Sequence, residues 1–216
     1  MPTPDALRTI AELGIVPVVA IEAVGAALPL ADALLGGGLP IIEITFRTSA
    51  AAEAIGLLAR ERPEMLVGAG TVLSEGDLQA ACEKGAHFAV SPGLNPRVVE
   101  QARQLGMPFV PGVCTPTDIE RALELDCRLL KFFPAEASGG LKMIEALAGP
   151  YRHTGVRFLP TGGVTPRNLE DYVASPDVAA VGGTWLARSA DLAAGRFDDI
   201  RERSREVVAV LTRARG

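Results

Sequence analysis

The sequence predicts a single α/β domain, residues 1–216, folded as a (β/α)8 barrel, and three observations carry that expectation. Short apolar, β-branched runs recur about every 20 to 28 residues, each followed by an Ala/Leu/Glu/Arg-rich amphipathic segment, as βα units around a parallel sheet require. Eight such units fit into 216 residues, which is compact for a barrel of this class. No Gly-x-Gly-x-x-Gly turn follows the first strand, which weighs against a dinucleotide-binding sheet. An open doubly wound sheet is the competing arrangement, and the eighth unit favours the closed ring over it.

The strands are expected at 15–20, 41–46, 66–72, 88–91, 108–113, 129–133, 157–161 and 179–183. Helices are expected near 24–36, 50–62, 75–84, 96–105, 116–125, 139–149, 166–174 and 196–213. Pro96, Pro116 and Pro166 suit first helical turns, with Asn95, Thr115 and Thr165 standing before them as N-caps. Pro40 suits the first position of a strand. A short helix over 4–13 precedes the first strand, with Thr3 as its cap and Gly14 as its end, and is placed to cover the N-terminal face of the barrel.

Composition sets the bounds. Apolar residues make up 48% of the chain, enough for a large core, and charged residues 22%. A net charge of −5 with both signs mixed leaves no basic face for nucleic acid. No apolar run is long enough for a membrane span, and no basic, then apolar leader opens the sequence. Cys82, Cys114 and Cys127 match no disulfide or zinc spacing, and a reducing cytoplasm is expected.

Catalytic groups of such barrels lie at the C-terminal ends of strands, so polar residues there are the candidates. Lys131 is one of three lysines, and Lys84 and Lys142 fall on helices. An amine taken out of water favours its neutral, nucleophilic form, the usual origin of a Schiff-base lysine. A structural lysine paired with a carboxylate at the rim is the other reading of a lone lysine in a strand. On the second strand, alternation puts Glu43, Thr45 and Arg47 on one face, toward the lumen, with Ile42, Ile44 and Phe46 on the other. A buried Glu43–Arg47 ion pair without further role is the plainer alternative. Thr71 follows Gly68 and Gly70, glycines that permit close approach of a ligand or simply fill a narrow barrel. Gly162–Gly163 and Gly182–Gly183–Thr184 fall after the seventh and eighth strands, where many barrels hold phosphate on backbone N–H groups. The two histidines, His87 and His153, form no metal-ligand cluster, so imine chemistry is favoured over metal-dependent aldol chemistry.

The runs IEITFRT (42–48), VGAGTV (67–72), SPG (91–93), KFFPAE (131–136), PTGGV (160–164) and GGTWL (182–186) occur in order. Together they resemble the family of 2-keto-3-deoxy-6-phosphogluconate (KDPG) and 4-hydroxy-2-oxoglutarate (KHG) aldolases over nearly the whole chain. The resemblance implies a homotrimeric barrel that cleaves a phosphorylated keto acid to pyruvate and glyceraldehyde 3-phosphate. It implies no metal and no cofactor beyond a covalent imine on Lys131. By matching position, Glu43 is the acid/base, and Arg47 and Thr71 contact the pyruvate end. Phe133 packs beside the imine, and Gly162, Gly163, Gly182, Gly183 and Thr184 hold the phosphate. Ser is common in the family where Thr184 stands, and Thr keeps the hydroxyl. An aldolase for the galactonate epimer, a non-catalytic sugar-phosphate-binding barrel and a phosphate-dependent isomerase are the competing functions. The last relies on carboxylates, His or metals, of which this sequence offers few.

Overall fold

A computed structural model describes residues 5–215. Its elements alternate as the repeat predicts. Helix α1 (Ala6–Leu13) precedes β1 (Ile15–Val19), followed by α2 (Ala27–Gly36), β2 (Ile41–Thr45), α3 (Ala51–Glu61), β3 (Leu66–Gly70) and α4 (Glu75–Glu83). Next come β4 (Phe88–Val90), α5 (Pro96–Gln104), β5 (Phe109–Val110), β6 (Gly112–Val113), α6 (Pro116–Glu124), β7 (Leu129–Phe132) and α7 (Gly140–Ala148). The chain ends with β8 (Arg157–Pro160), α8 (Leu169–Ala174), β9 (Val181–Gly183), α9 (Ser189–Ala193) and α10 (Phe197–Arg215).

All strand pairs are parallel, in the orders β5–β4–β3–β2–β1–β9 and β6–β7–β8. Two joints close the ring. At the first, β5 runs on into β6 through Pro111, which has no N–H to donate and so breaks the expected fifth strand in two. At the second, parallel bridges Phe158–Val178 and Thr161–Gly182 join β8 to β9.

Side-chain alternation sorts the core into two layers. Ile42, Ile44, Leu130, Phe132 and Phe158 pack outward against the helices. Val16, Ile41, Leu66, Phe88, Val110, Leu159 and Ala180 fill the lumen. Gly68 makes room for the Phe88 ring, which a Cβ at that position would strike. Helix α1 adds Ala6 and Ile10, one turn apart on one face, to the lumen cluster, so it closes the N-terminal end of the barrel as expected.

Two of the expected helix caps are corrected and the others hold. Asp5, not Thr3, caps α1 by accepting from the Arg8 N–H; Thr3 lies outside the described residues. Gly14 ends that helix at φ 76°, its N–H donating to the Ile10 carbonyl. Asn95 and Thr115 cap α5 and α6, Thr115 within a capping box with Asp118. Thr165 does not cap a helix at Pro166. The Asn168 side chain accepts from the Thr165 N–H at 2.7 Å and holds a turn, and α8 starts only at Leu169. Helix α9 was not foreseen; its five residues are too few for a periodic pattern.

Candidate active site

The layer pattern dictates which way the two candidate catalytic groups face. On β7, Leu130 and Phe132 pack outward and Leu129 packs against the lumen cluster, so Lys131 between them points inward. On β2, Ile42 and Ile44 point outward and Ile41 inward, which turns Glu43 into the lumen as well. The two side chains meet, with Lys131 Nζ donating to Glu43 Oε1 at 3.3 Å. Both are withdrawn from water: Lys131 is 5% exposed and Glu43 0%. Glu43 Oε2 is buried without a hydrogen-bond partner, an acceptor left open beside the amine. Gly70 lines the pocket for this carboxylate, since a Cβ there would run into it.

The other lysines behave as expected of helix residues. Lys84 pairs with Glu53 on the surface, and Lys142 is exposed.

Phe133 follows the strand at the mouth, 37% exposed, with its ring centroid 5.7 Å from Lys131 Nζ, within range of a cation–π contact. Thr71 follows β3 directly at φ 56°, a left-handed conformation that is rare without glycine and clusters at functional sites. Thr45 donates to the Val19 carbonyl at 3.2 Å. Arg47 lies on an exposed turn two residues beyond β2, so strand alternation does not reach it, and Glu43 pairs with Lys131 rather than with Arg47.

At the end of β8, Gly162 and Gly163 have φ 97° and 87°. A Cβ on Gly162 would stand 3.4 Å from the Phe133 ring, so the turn packs directly against the segment that follows Lys131. No backbone carbonyl among the described residues accepts from the N–H groups of Gly162, Gly163 or Thr184. Gly182 leaves room for the Thr161 side chain and Gly183 for the Trp185 ring. Beyond Thr184, Arg203 donates to the Trp185 carbonyl at 3.4 Å and to buried Asp191 at 2.6 Å, and Arg196 reaches the same carboxylate. Arg203 thereby ties the segment after the glycine turn to α10, and its bond to Asp191 ties α9 to the same helix.

Thr161 was not singled out from the sequence. It is 3% exposed, shares the lumen face of β8 with Leu159, and its hydroxyl is buried without a partner. The available signal was a hydroxyl residue ending a strand just before two glycines. His87 is structural, its Nδ1 accepting from the Val67 N–H at 3.1 Å. Among the described residues, no group of three or more His, Cys, Asp or Glu is placed to hold a metal ion.

Residues 7–203 match the family model described as KDPG and KHG aldolase. The chain is 45% identical over 209 residues to a 2-dehydro-3-deoxy-phosphogluconate aldolase of Haemophilus influenzae, covering 97% of this chain and 98% of the relative. It is 42% identical over 194 residues to a KHG/KDPG aldolase of Escherichia coli, covering 90% of each. A solved KDPG aldolase from Legionella pneumophila, with pyruvate captured at low pH as a covalent carbinolamine intermediate, superposes with a TM-score of 0.90 at 35% identity. It covers 94% of this chain and 98% of its own.

Proposed function

This chain belongs to the KDPG and KHG aldolase family, and from that membership and the Lys131–Glu43 contact we infer how it works. It is a lyase, an aldolase that cleaves 2-keto-3-deoxy-6-phosphogluconate to pyruvate and glyceraldehyde 3-phosphate. Cleavage of 4-hydroxy-2-oxoglutarate to pyruvate and glyoxylate is the second activity.

Deprotonated Lys131 attacks the C2 ketone, and the carbinolamine loses water to give a protonated imine. Glu43, 3.3 Å from the amine, is the nearest acceptor for the proton the lysine must release. The imine then acts as an electron sink. Glu43, directly or through a water, removes the C4 hydroxyl proton; the C3–C4 bond breaks, the aldehyde leaves, and its bonding pair enters the imine as an enamine. Protonation at C3 and hydrolysis release pyruvate and restore the amine. No metal is needed in this sequence of steps, and the covalent carbinolamine of the Legionella relative supports it.

Arg47 is assigned to the substrate carboxylate, where a planar guanidinium fits better than an ammonium. Thr71 is placed with it at the pyruvate end, and Phe133 beside the imine. Gly162, Gly163, Gly182, Gly183 and Thr184 are assigned to the phosphate; the left-handed glycines and unclaimed N–H groups there support this. We take residues 1–216 as one aldolase domain that assembles as a homotrimer, the form the family resemblance implies, in the cytoplasm. In support of the last, the three cysteines are free, and no helix among the described residues is long and apolar enough to cross a membrane.

The burial of one amine against one carboxylate in the lumen carries the reading. Pyruvate release from the phosphorylated keto acid tests it: wild-type enzyme turns over, and Lys131→Met loses turnover by at least ~10³-fold. Retained turnover in that variant contradicts the assignment.

A further inference from the structure

Five residues past Lys131, Glu136 is outwardly an exposed carboxylate on a short 3-10 turn, Glu136–Ser138, and the mechanism above has no use for it. Its surroundings are built around it. The parallel pairing of β7 with β8 ends at Phe132 and Pro160, yet two more backbone bonds continue it. Ala135 N–H donates to the Thr161 carbonyl at 2.8 Å, and Glu136 N–H donates to the Gly162 carbonyl at 3.0 Å. The stem of Glu136 then lies against the glycine turn, where a Cβ on Gly163 would fall 2.5 Å from Glu136 Cβ.

The carboxylate is held from the far side. Tyr172 on α8, 2% exposed, donates its phenol proton to Glu136 Oε1. Gly140, the first residue of α7, completes the slot: a Cβ there would stand 3.1 Å from Glu136 Oε1 and 3.2 Å from the Tyr172 oxygen. Burial, and then the neighbouring carboxylate, push the Tyr172 phenol above its ordinary value, which keeps it the donor of the pair. A solvated surface glutamate requires neither a buried phenol nor glycine on two walls.

We propose that Glu136 and Tyr172 are positioning residues for substrate binding, bracing the Gly162–Gly163 turn so that its backbone N–H groups are preset for the phosphate. The proposal rests on the phosphate reading of that turn. Neither side chain need touch the reacting carbons. Their effect is confined to the distal end of the substrate, because what they fix is a backbone turn and not the lysine.

Steady-state kinetics on the phosphorylated keto acid and on 4-hydroxy-2-oxoglutarate, with borohydride trapping of pyruvate, test it in Tyr172→Phe, Glu136→Ala and Glu136→Gln. Tyr172→Phe and Glu136→Ala are expected to raise KM for the phosphorylated substrate about tenfold with kcat nearly unchanged, through loss of a hydrogen bond to a charged group. Both should leave 4-hydroxy-2-oxoglutarate cleavage and pyruvate trapping at wild-type levels. Glu136→Gln keeps an oxygen for the phenol and should restore most of the binding. Equal losses on both substrates, or no loss on either, overturn the positioning role while leaving the phosphate site standing. A wild-type enzyme with no preference for the phosphorylated substrate overturns the phosphate reading, and this proposal with it.

Discussion

Lys131 Nζ and Glu43 Oε1 stand 3.3 Å apart in the lumen, 88 residues apart in the chain, and neither side chain is open to water. A pair of this kind adds little net stability, because desolvation offsets its attraction, whereas removing one member strands the other. Lys131→Met alone is therefore expected to destabilise the fold by about 3–5 kcal/mol. Lys131→Met combined with Glu43→Gln, which leaves no orphaned charge, should recover most of that loss. Urea unfolding of the two singles and the double measures the coupling, and additive effects would contradict the pairing.

Glu43 owes its place to a glycine. Gly70→Ala puts a methyl group where the carboxylate lies, so Glu43 must swing away from Lys131. The expected result is a kcat reduced about 10²-fold in a folded protein, as misplacement of a catalytic group by roughly 1 Å costs. Glu43→Gln should lower kcat by about 10²–10⁴-fold through loss of proton transfer. Turnover assays beside circular dichroism separate these effects from unfolding.

Asp191 ties α9 to α10. Burial alone would raise its carboxyl, but hydrogen bonds from Arg196 and Arg203, with their charges, outweigh that and hold it below the usual carboxylate value. A depressed folded value means that its contribution is complete above the unfolded value of about 4 and is lost as pH falls through the folded one. Asp191→Asn should lower Tm at pH 7 by an amount equivalent to about 1–3 kcal/mol, discounted because both guanidinium groups reach solvent. The variant should also flatten the acid limb of a Tm-against-pH curve, and an unchanged acid limb would refute the assignment.

The cysteines should differ in reactivity. Burial, with Asp126 adding and Arg128 opposing, pushes the Cys127 thiol up to about 11. Its thiolate is scarce at neutral pH, so Cys127 should alkylate slowly in the folded protein and at a model-thiol rate once unfolded. Peptide mapping after timed iodoacetamide treatment gives both rates; equal rates in the two states would show that burial does not protect it.

What could be read from the residues follows from which rules are local. The strand–helix repeat is set by period, and Lys131 and Glu43 each betray their orientation by the apolar residues on either side. The lumen-facing alternation does not extend to Arg47, because it holds only while the strand lasts and β2 stops at Thr45. The helix expected over 166–174 starts only at Leu169 because Asn168 takes the Thr165 N–H, a side-chain choice that propensity does not fix. The Glu136–Tyr172 pair joins residues 36 apart in sequence, and no spacing rule connects a loop carboxylate to a phenol on a later helix. KFFPAE and PTGGV lie far apart in sequence and form one surface because β7 and β8 pair side by side.

A single amine, that of Lys131, is expected to form the covalent link to the keto acid. Incubation with pyruvate and borohydride, followed by digestion and mass spectrometry, tests it most directly. The expected result is a single reduced pyruvate adduct on the peptide containing Lys131. An adduct on Lys84 or Lys142, or none at all from an enzyme that still cleaves its substrate, would contradict it.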